Sequence, residues 1–154
     1  MKKMFLFATA FVFSVAAMAQ QKVDEVIKVN TETHSFGKIK QGIPVTYYFE
    51  ITNVSNKPIV VENASASCGC TVPEKPAQPI LPGKTDKIKV VFNAGAVGPI
   101  NKDIYIKIAD VPDQKIVHIT GEVLTADAYD NLPKDQVKEV KETKDSKVNK
   151  TKKS

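Results

Sequence analysis

In four stretches of this chain every second residue is apolar. Val45, Tyr47, Phe49 and Ile51 alternate with Thr46, Tyr48, Glu50 and Thr52. Ile88, Val90 and Phe92 alternate with Lys87, Lys89 and Val91, and Ile104, Ile106 and Ile108 with Asp103, Tyr105 and Lys107. Val117, Ile119, Gly121 and Val123 alternate with Ile116, His118, Thr120 and Glu122. A period of two puts one set of side chains in a core and the other mostly in water, as in antiparallel sheets. A shorter strand is expected over Ile59 to Ala64, with weaker ones near Ile27 to Asn30 and Thr33 to Phe36. Turn residues separate the runs: Gly37, Gln41-Gly42, Asn56, Pro82-Gly83, Gly95, Gly98-Pro99 and Pro112-Asp113. No stretch sustains a 3.6-residue period. About seven short strands in about 100 residues predict an all-β fold, an immunoglobulin-like antiparallel β-sandwich over residues 26–124. The chain has no tryptophan, and its two cysteines lie two residues apart, so no disulfide can join the two sheets. A small β-barrel is the alternative.

One segment breaks the alternation. Ser65 to Pro82 holds four prolines, Pro73, Pro76, Pro79 and Pro82. Proline cannot donate to a ladder, so the segment reads as a loop or edge crossing between sheets. Cys68 and Cys70 stand at its entrance, within Ser67-Cys68-Gly69-Cys70-Thr71. In an extended strand, Cα atoms two residues apart lie about 6.5–7 Å from each other. A disulfide needs about 4.4–6.8 Å, so the pair closes only if the chain bends at Gly69. The ring would be tiny, constrain the unfolded chain little, and be reducible. Four readings stay open: a disulfide, a redox pair, a metal site, or a bend in which the thiols pack as small hydrophobes. Two thiolates on one face suit Cu(I) or half of a zinc site, with His34 as the candidate third ligand. A dedicated redox protein would usually place its cysteines in a C-x-x-C within a βαβ pattern, which is absent. No nucleophile–histidine–carboxylate pattern, P-loop, G-x-G-x-x-G or H-E-x-x-H occurs, so no enzyme is expected and no cofactor is called for. Ser67, Gly69, Thr71 and Pro73 are the candidate binding-loop residues, since irregular loops on a rigid scaffold carry recognition.

The two ends change the charge picture. The chain opens MKKMFLFATAFVFSVAAMAQQ, with a basic start, an apolar run from Met4 to Ala16 and a small-x-small site at Ala17-Met18-Ala19. That is a secretory signal peptide over residues 1–19, with a linker over 20–25. The apolar run is short for a membrane span, so no stable membrane insertion is expected after cleavage. Residues 125–154 read as a disordered lysine-rich tail, with Val137, Val140 and Val148 the only apolar side chains after Lys134. The whole chain carries +5, yet between the signal and the tail 12 lysines face 13 acids, a net of −1. With a near-neutral body and no arginine, no nucleic-acid partner is expected. Three N-glycosylation sequons, at Asn53, Asn63 and Asn149, are attributed to chance. Outward Tyr48, Tyr105, Val91 and Ile116 would form one apolar patch if their strands were neighbours.

Several of these stretches together resemble a known family. FGKIKQG at Phe36–Gly42, FEITNVSNKPIVV, SCGCTVPEKPAQPILPGKTDKIKVVFNA and the closing ITGEV are similar to a bacterial family of exported domains, domain-of-unknown-function family 1573. The wider layout is similar to hydin-type and sperm-protein-type Ig-like modules. The resemblance spans about Phe36 to Val123 and implies an Ig-like sandwich, export and no established catalysis; it assigns the cysteines no role. The sequence therefore predicts an exported, non-catalytic Ig-like module in the periplasm, at the cell surface or secreted. Its partner would be a protein or a cell-envelope ligand. The alternative is a thiol-redox or copper- or zinc-handling protein built on Cys68 and Cys70.

Overall fold

The structure is a computed structural model and describes residues 22–133. Eight strands run in order: β1 (Ile27–Val29), β2 (Thr33–Lys40), β3 (Val45–Asn53), β4 (Val61–Ala66), β5 (Thr71–Glu74), β6 (Thr85–Phe92), β7 (Gly98–Ile108) and β8 (Gln114–Leu124). They form two four-stranded sheets, β1-β3-β6-β5 and β2-β8-β7-β4. The immunoglobulin-like sandwich expected from the alternation is present. One ladder departs from it: β2 pairs with β8 in parallel. The chain passes from β1 in one sheet to β2 in the other without reversing direction, which leaves β2 running alongside β8.

The core sits between the sheets and is built from the apolar phases of the alternating runs. Phe49 and Ile51 of β3, Ile88 and Val90 of β6, Ile104, Ile106 and Ile108 of β7, and Val117 and Ile119 of β8 are wholly buried. In β2, Phe36 and Ile39 are both buried although they are three residues apart. A register shift between Ser35 and Lys38 resets the side-chain phase and turns both inward. Beside this bulge Gly121 has φ +149°, and a Cβ there would lie 2.7 Å from the Gly37 carbonyl oxygen. Only glycine lets β2 and β8 approach this closely.

Three boundaries differ from the sequence expectation. Residues 23–25, read as linker, form a 3-10 turn with Val23 buried beneath it. Residues 126–130, read as the start of the tail, form a short helix, α1 (Ala126–Asp130), whose first turn is capped by the Thr125 hydroxyl. Lys40 Nζ, 2.7 Å from an Asp130 carboxylate oxygen, anchors that helix to β2. Thr71–Glu74, read as loop, is the edge strand β5. The stretch read as a signal peptide, residues 1–19, and the part of the expected tail beyond residue 133 lie outside the described residues.

Proline is tolerated in β5 for a definable reason. The Asn93 N–H donates to the Cys70 carbonyl at 3.0 Å, and Val72 and Pro73 stand opposite Val91 and Val90. Ladder bonds in an antiparallel pair fall on alternate residues, so they fall here on Cys70, Val72 and Glu74. Pro73 presents its missing N–H to the open edge, where nothing is lost. The other outward N–H, that of Thr71, donates back to the Cys68 carbonyl at 3.3 Å. Both outward donors of β5 are thus withdrawn from any strand that might add there.

Candidate functional site

Residues 67–73 carry the chain from the edge of one sheet to the edge of the other. Ser67, just past β4, makes two bonds to Asp103 of β7: its N–H donates to the Asp103 carbonyl at 2.9 Å, and its hydroxyl accepts from the Asp103 N–H at 3.1 Å. The chain then turns, and Cys68 and Cys70 are joined in a disulfide with their Cα atoms 5.3 Å apart. That spacing is well inside the range a disulfide requires and shorter than an extended chain allows. Gly69 is exposed, its φ lies outside the left-handed region, and a Cβ there would meet nothing within 4 Å. The bend is therefore held by the Thr71 N–H bond to Cys68 and by the ladder at Cys70, and it does not require glycine. Thr71 is buried, and its hydroxyl oxygen lies 3.7 Å from Cys68 Sγ and 3.9 Å from Cys70 Sγ.

The disulfide borders a cleft of about 150 Å³ at this end of the sandwich. Cys70, Phe92, Val97, Pro99, Val123 and Lys102 are among its lining residues; Cys68 is not. Lys102 shares the inward phase of β7 with Ile100 and Ile104. It is half-buried, and among the described residues no carboxylate pairs with it. A lysine in the core phase of a strand is the sequence signal that alternation alone passed over. The loop that closes the cleft carries Ala94, which is fully buried at φ +51°. Its carbonyl accepts from Gly42 N–H at 2.9 Å, and Gln41 Nε2 donates to Gly95 at 3.1 Å, so the 41–43 turn braces the same end.

His34 does not join the cysteines. It stacks on Tyr47 with ring centroids 3.5 Å apart and meets Phe36 edge-on at 4.8 Å. Its strand, β2, and β4, which leads to Cys68, are opposite edges of one sheet, three strand spacings or about 14 Å apart. The proposed three-ligand set is not assembled, and among the described residues no three His, Cys, Asp or Glu side chains gather in a metal-holding group. Of the candidate loop residues, Ser67 and Thr71 point into the fold's hydrogen bonding, Gly69 faces solvent, and Pro73 belongs to β5. His118, on the outer face of β8, hydrogen-bonds Asp103 through Nδ1 at 2.8 Å. The four outward apolar residues do not form one patch. Tyr48 and Val91 lie on one sheet, while Tyr105 and Ile116 face each other on the other.

A second groove, about 420 Å³, runs past Asp24, Lys28, Asn30, Glu32 and Lys115. Here Lys115 bridges Asp24 and Glu32, tying the N-terminal turn and the β1–β2 link to the start of β8. Burial pulls the Lys115 amine down, and its hydrogen bonds to the two carboxylates together with their charges outweigh that, holding it above the ordinary lysine value.

Comparison with known proteins agrees with this architecture. A search of curated proteins finds no match. Among solved structures, a protein of unknown function from Porphyromonas gingivalis W83 is similar, at 18% identity and a TM-score of 0.56, over 70% of this chain and 50% of that one. The present chain thus spans half the length of that protein. The ASH/PapD-like domain 7 of human CEP192 is similar at 10% identity and a TM-score of 0.53, over 66% of this chain and 87% of that domain. At these identities the likeness is one of fold. The sequence matches the family described as "Protein of unknown function (DUF1573)" over residues 27–123, which is all of the sandwich from β1 to β8, and the chain belongs to that family.

Proposed function

We propose that this protein is an exported, non-catalytic Ig-like module that binds a protein or cell-envelope ligand with the end of the sandwich where β4 crosses to β5. The observation that carries the reading is the irregular, disulfide-closed crossing beside an open cleft. Val97 lines that cleft, and Val72 and Ile43, on the adjoining β5 and 41–43 segments, are also half exposed. The opposite end also exposes Val54, Val60 and Leu81, but its 54–58 turn is a tight one held by its own hydrogen bonds. Loops at one end of a rigid sandwich are where such folds carry recognition. Export is supported by the N-terminal basic, apolar and small-x-small pattern. The near-neutral body and the lack of arginine speak against a nucleic-acid partner.

The test has two arms. Mass spectrometry of the protein recovered from envelope and medium fractions should find a chain beginning at Gln20. A photo-crosslinking residue at Val72 or Val97 should give a discrete adduct in intact cells, and one at Asn56 should give none. An unprocessed cytoplasmic chain would overturn export, and adducts that are absent or equal at the two ends would overturn the assignment of the surface.

A further inference from the structure

We infer that the Cys68–Cys70 disulfide is a thiol–disulfide exchange site that accepts electrons from the dithiol of an extended polypeptide whose cysteine enters the cleft beside Cys70. The inference goes beyond the binding reading and does not depend on it.

Four observations converge. The disulfide closes a ring between residues only two apart, so it adds little as a staple. Both cysteines are partly exposed at the surface of the crossing. Of the two, only Cys70 borders the cleft. The same cleft is lined by Lys102, a lysine in the inward phase of β7 without a carboxylate partner among the described residues. A cleft of about 150 Å³ has room for one small thiol-bearing side chain and its flanking backbone, which suits an extended segment. A cation in such a cleft favours the thiolate, which is the attacking species.

The geometry assigns the roles. The incoming thiolate attacks Sγ of Cys70, the cysteine that lines the cleft, and forms a mixed disulfide with it. The Cys68–Cys70 bond breaks, and its electron pair goes to Cys68 Sγ. The Thr71 hydroxyl, 3.7 Å from that sulfur, is placed to donate to the departing thiolate, which then takes a proton from solvent. The second thiolate of the same dithiol attacks its own half of the mixed disulfide. That step forms the partner's disulfide and releases Cys70 as a thiol. The partner dithiol loses two electrons and two protons, and the Cys68–Cys70 pair gains them.

The experiment uses the full chain purified without reductant and treated with glutathione, a thiol of known potential, with alkylation and mass spectrometry as the readout. The pair should reduce and reoxidise reversibly in glutathione buffers under native conditions. With glutathione disulfide as the oxidant, which releases one glutathione thiol per adduct formed, Cys68→Ser should accumulate a glutathione adduct on Cys70 faster than Cys70→Ser does on Cys68. Lys102→Met should slow reduction about 2- to 10-fold, the loss of one favourable charge, and Lys102→Arg should restore it. A pair that is already free in the oxidised preparation, or that yields to glutathione only after unfolding in urea, would overturn the proposal. So would equal adduct formation on the two cysteines, or a Lys102→Met variant of unchanged rate. Unaltered far-UV circular dichroism and urea midpoints of the oxidised variants separate a loss of exchange from a loss of fold.

Discussion

The most informative single substitution lies outside the cleft, at Asn53. This side chain is fully buried at the end of β3 and uses all of its hydrogen-bonding capacity. Nδ2 donates to the carbonyls of Lys57 and Ile80, both at 2.8 Å, and Oδ1 accepts from the Ser55 N–H at 2.9 Å and the Ser55 hydroxyl at 2.7 Å. One amide thus holds together the turn after β3 and the Ile59–Ile80 bridge. Asn53→Ala removes four bonds at once. Each contributes about 1 kcal/mol net, and the Ile80 carbonyl is left without the amide's hydrogen bond, so the variant should lose about 3–4 kcal/mol. For a domain of this size that is a fall in midpoint of about 10–15 °C. Asn53→Asp keeps the shape and sets a carboxylate against two carbonyl oxygens. Its folded-state pKa is then raised, so its stability should improve as pH falls and the acid gains one donor. Urea titration followed by far-UV circular dichroism and tyrosine fluorescence measures both, since the chain has no tryptophan. A loss below about 1 kcal/mol for Asn53→Ala would refute the reasoning. The same burial excludes the Asn53 sequon as a glycosylation site in the folded protein.

Other substitutions test separate parts of the structure. Gly121→Ala should cost about 2–4 kcal/mol, because its Cβ meets the Gly37 carbonyl at 2.7 Å and φ is +149°, whereas Gly69→Ala should be neutral within about 0.5 kcal/mol by the same urea titration. The double variant Cys68→Ser/Cys70→Ser should lose no more than about 2 kcal/mol, as expected for so short a loop; collapse of the cooperative transition would show that the disulfide is a staple after all. Lys115→Met should cost up to about 1 kcal/mol at pH 7, because Asp24 and Glu32 are largely exposed and screened. The Lys115 pKa is raised in the folded state, so its contribution is complete below the unfolded value of 10.5 and disappears as pH rises through the folded one. Wild type and Lys115→Met should therefore converge in stability at high pH, and a constant difference from pH 7 to 12 would contradict the ion-pair assignment.

The residues of the alternating runs determined the sandwich by themselves. A two-residue period leaves one apolar face per strand, and two such sheets can bury those faces only against each other. The same reasoning located the crossing and its cysteines, because prolines exclude a central strand. Tertiary structure decided what a one-dimensional pattern does not encode. Pro73 could join β5 because its nitrogen falls on the open side of an edge, a matter of ladder phase rather than residue type. His34 and Cys68 were separated because β2 and β4 became opposite edges of one sheet, and strand order is set by long-range pairing. Lys102 and Asn53 were visible as polar residues in core-phase positions. What each faces, a cleft beside Cys70 for one and four backbone and hydroxyl partners for the other, comes from segments distant in the chain that only folding brings together.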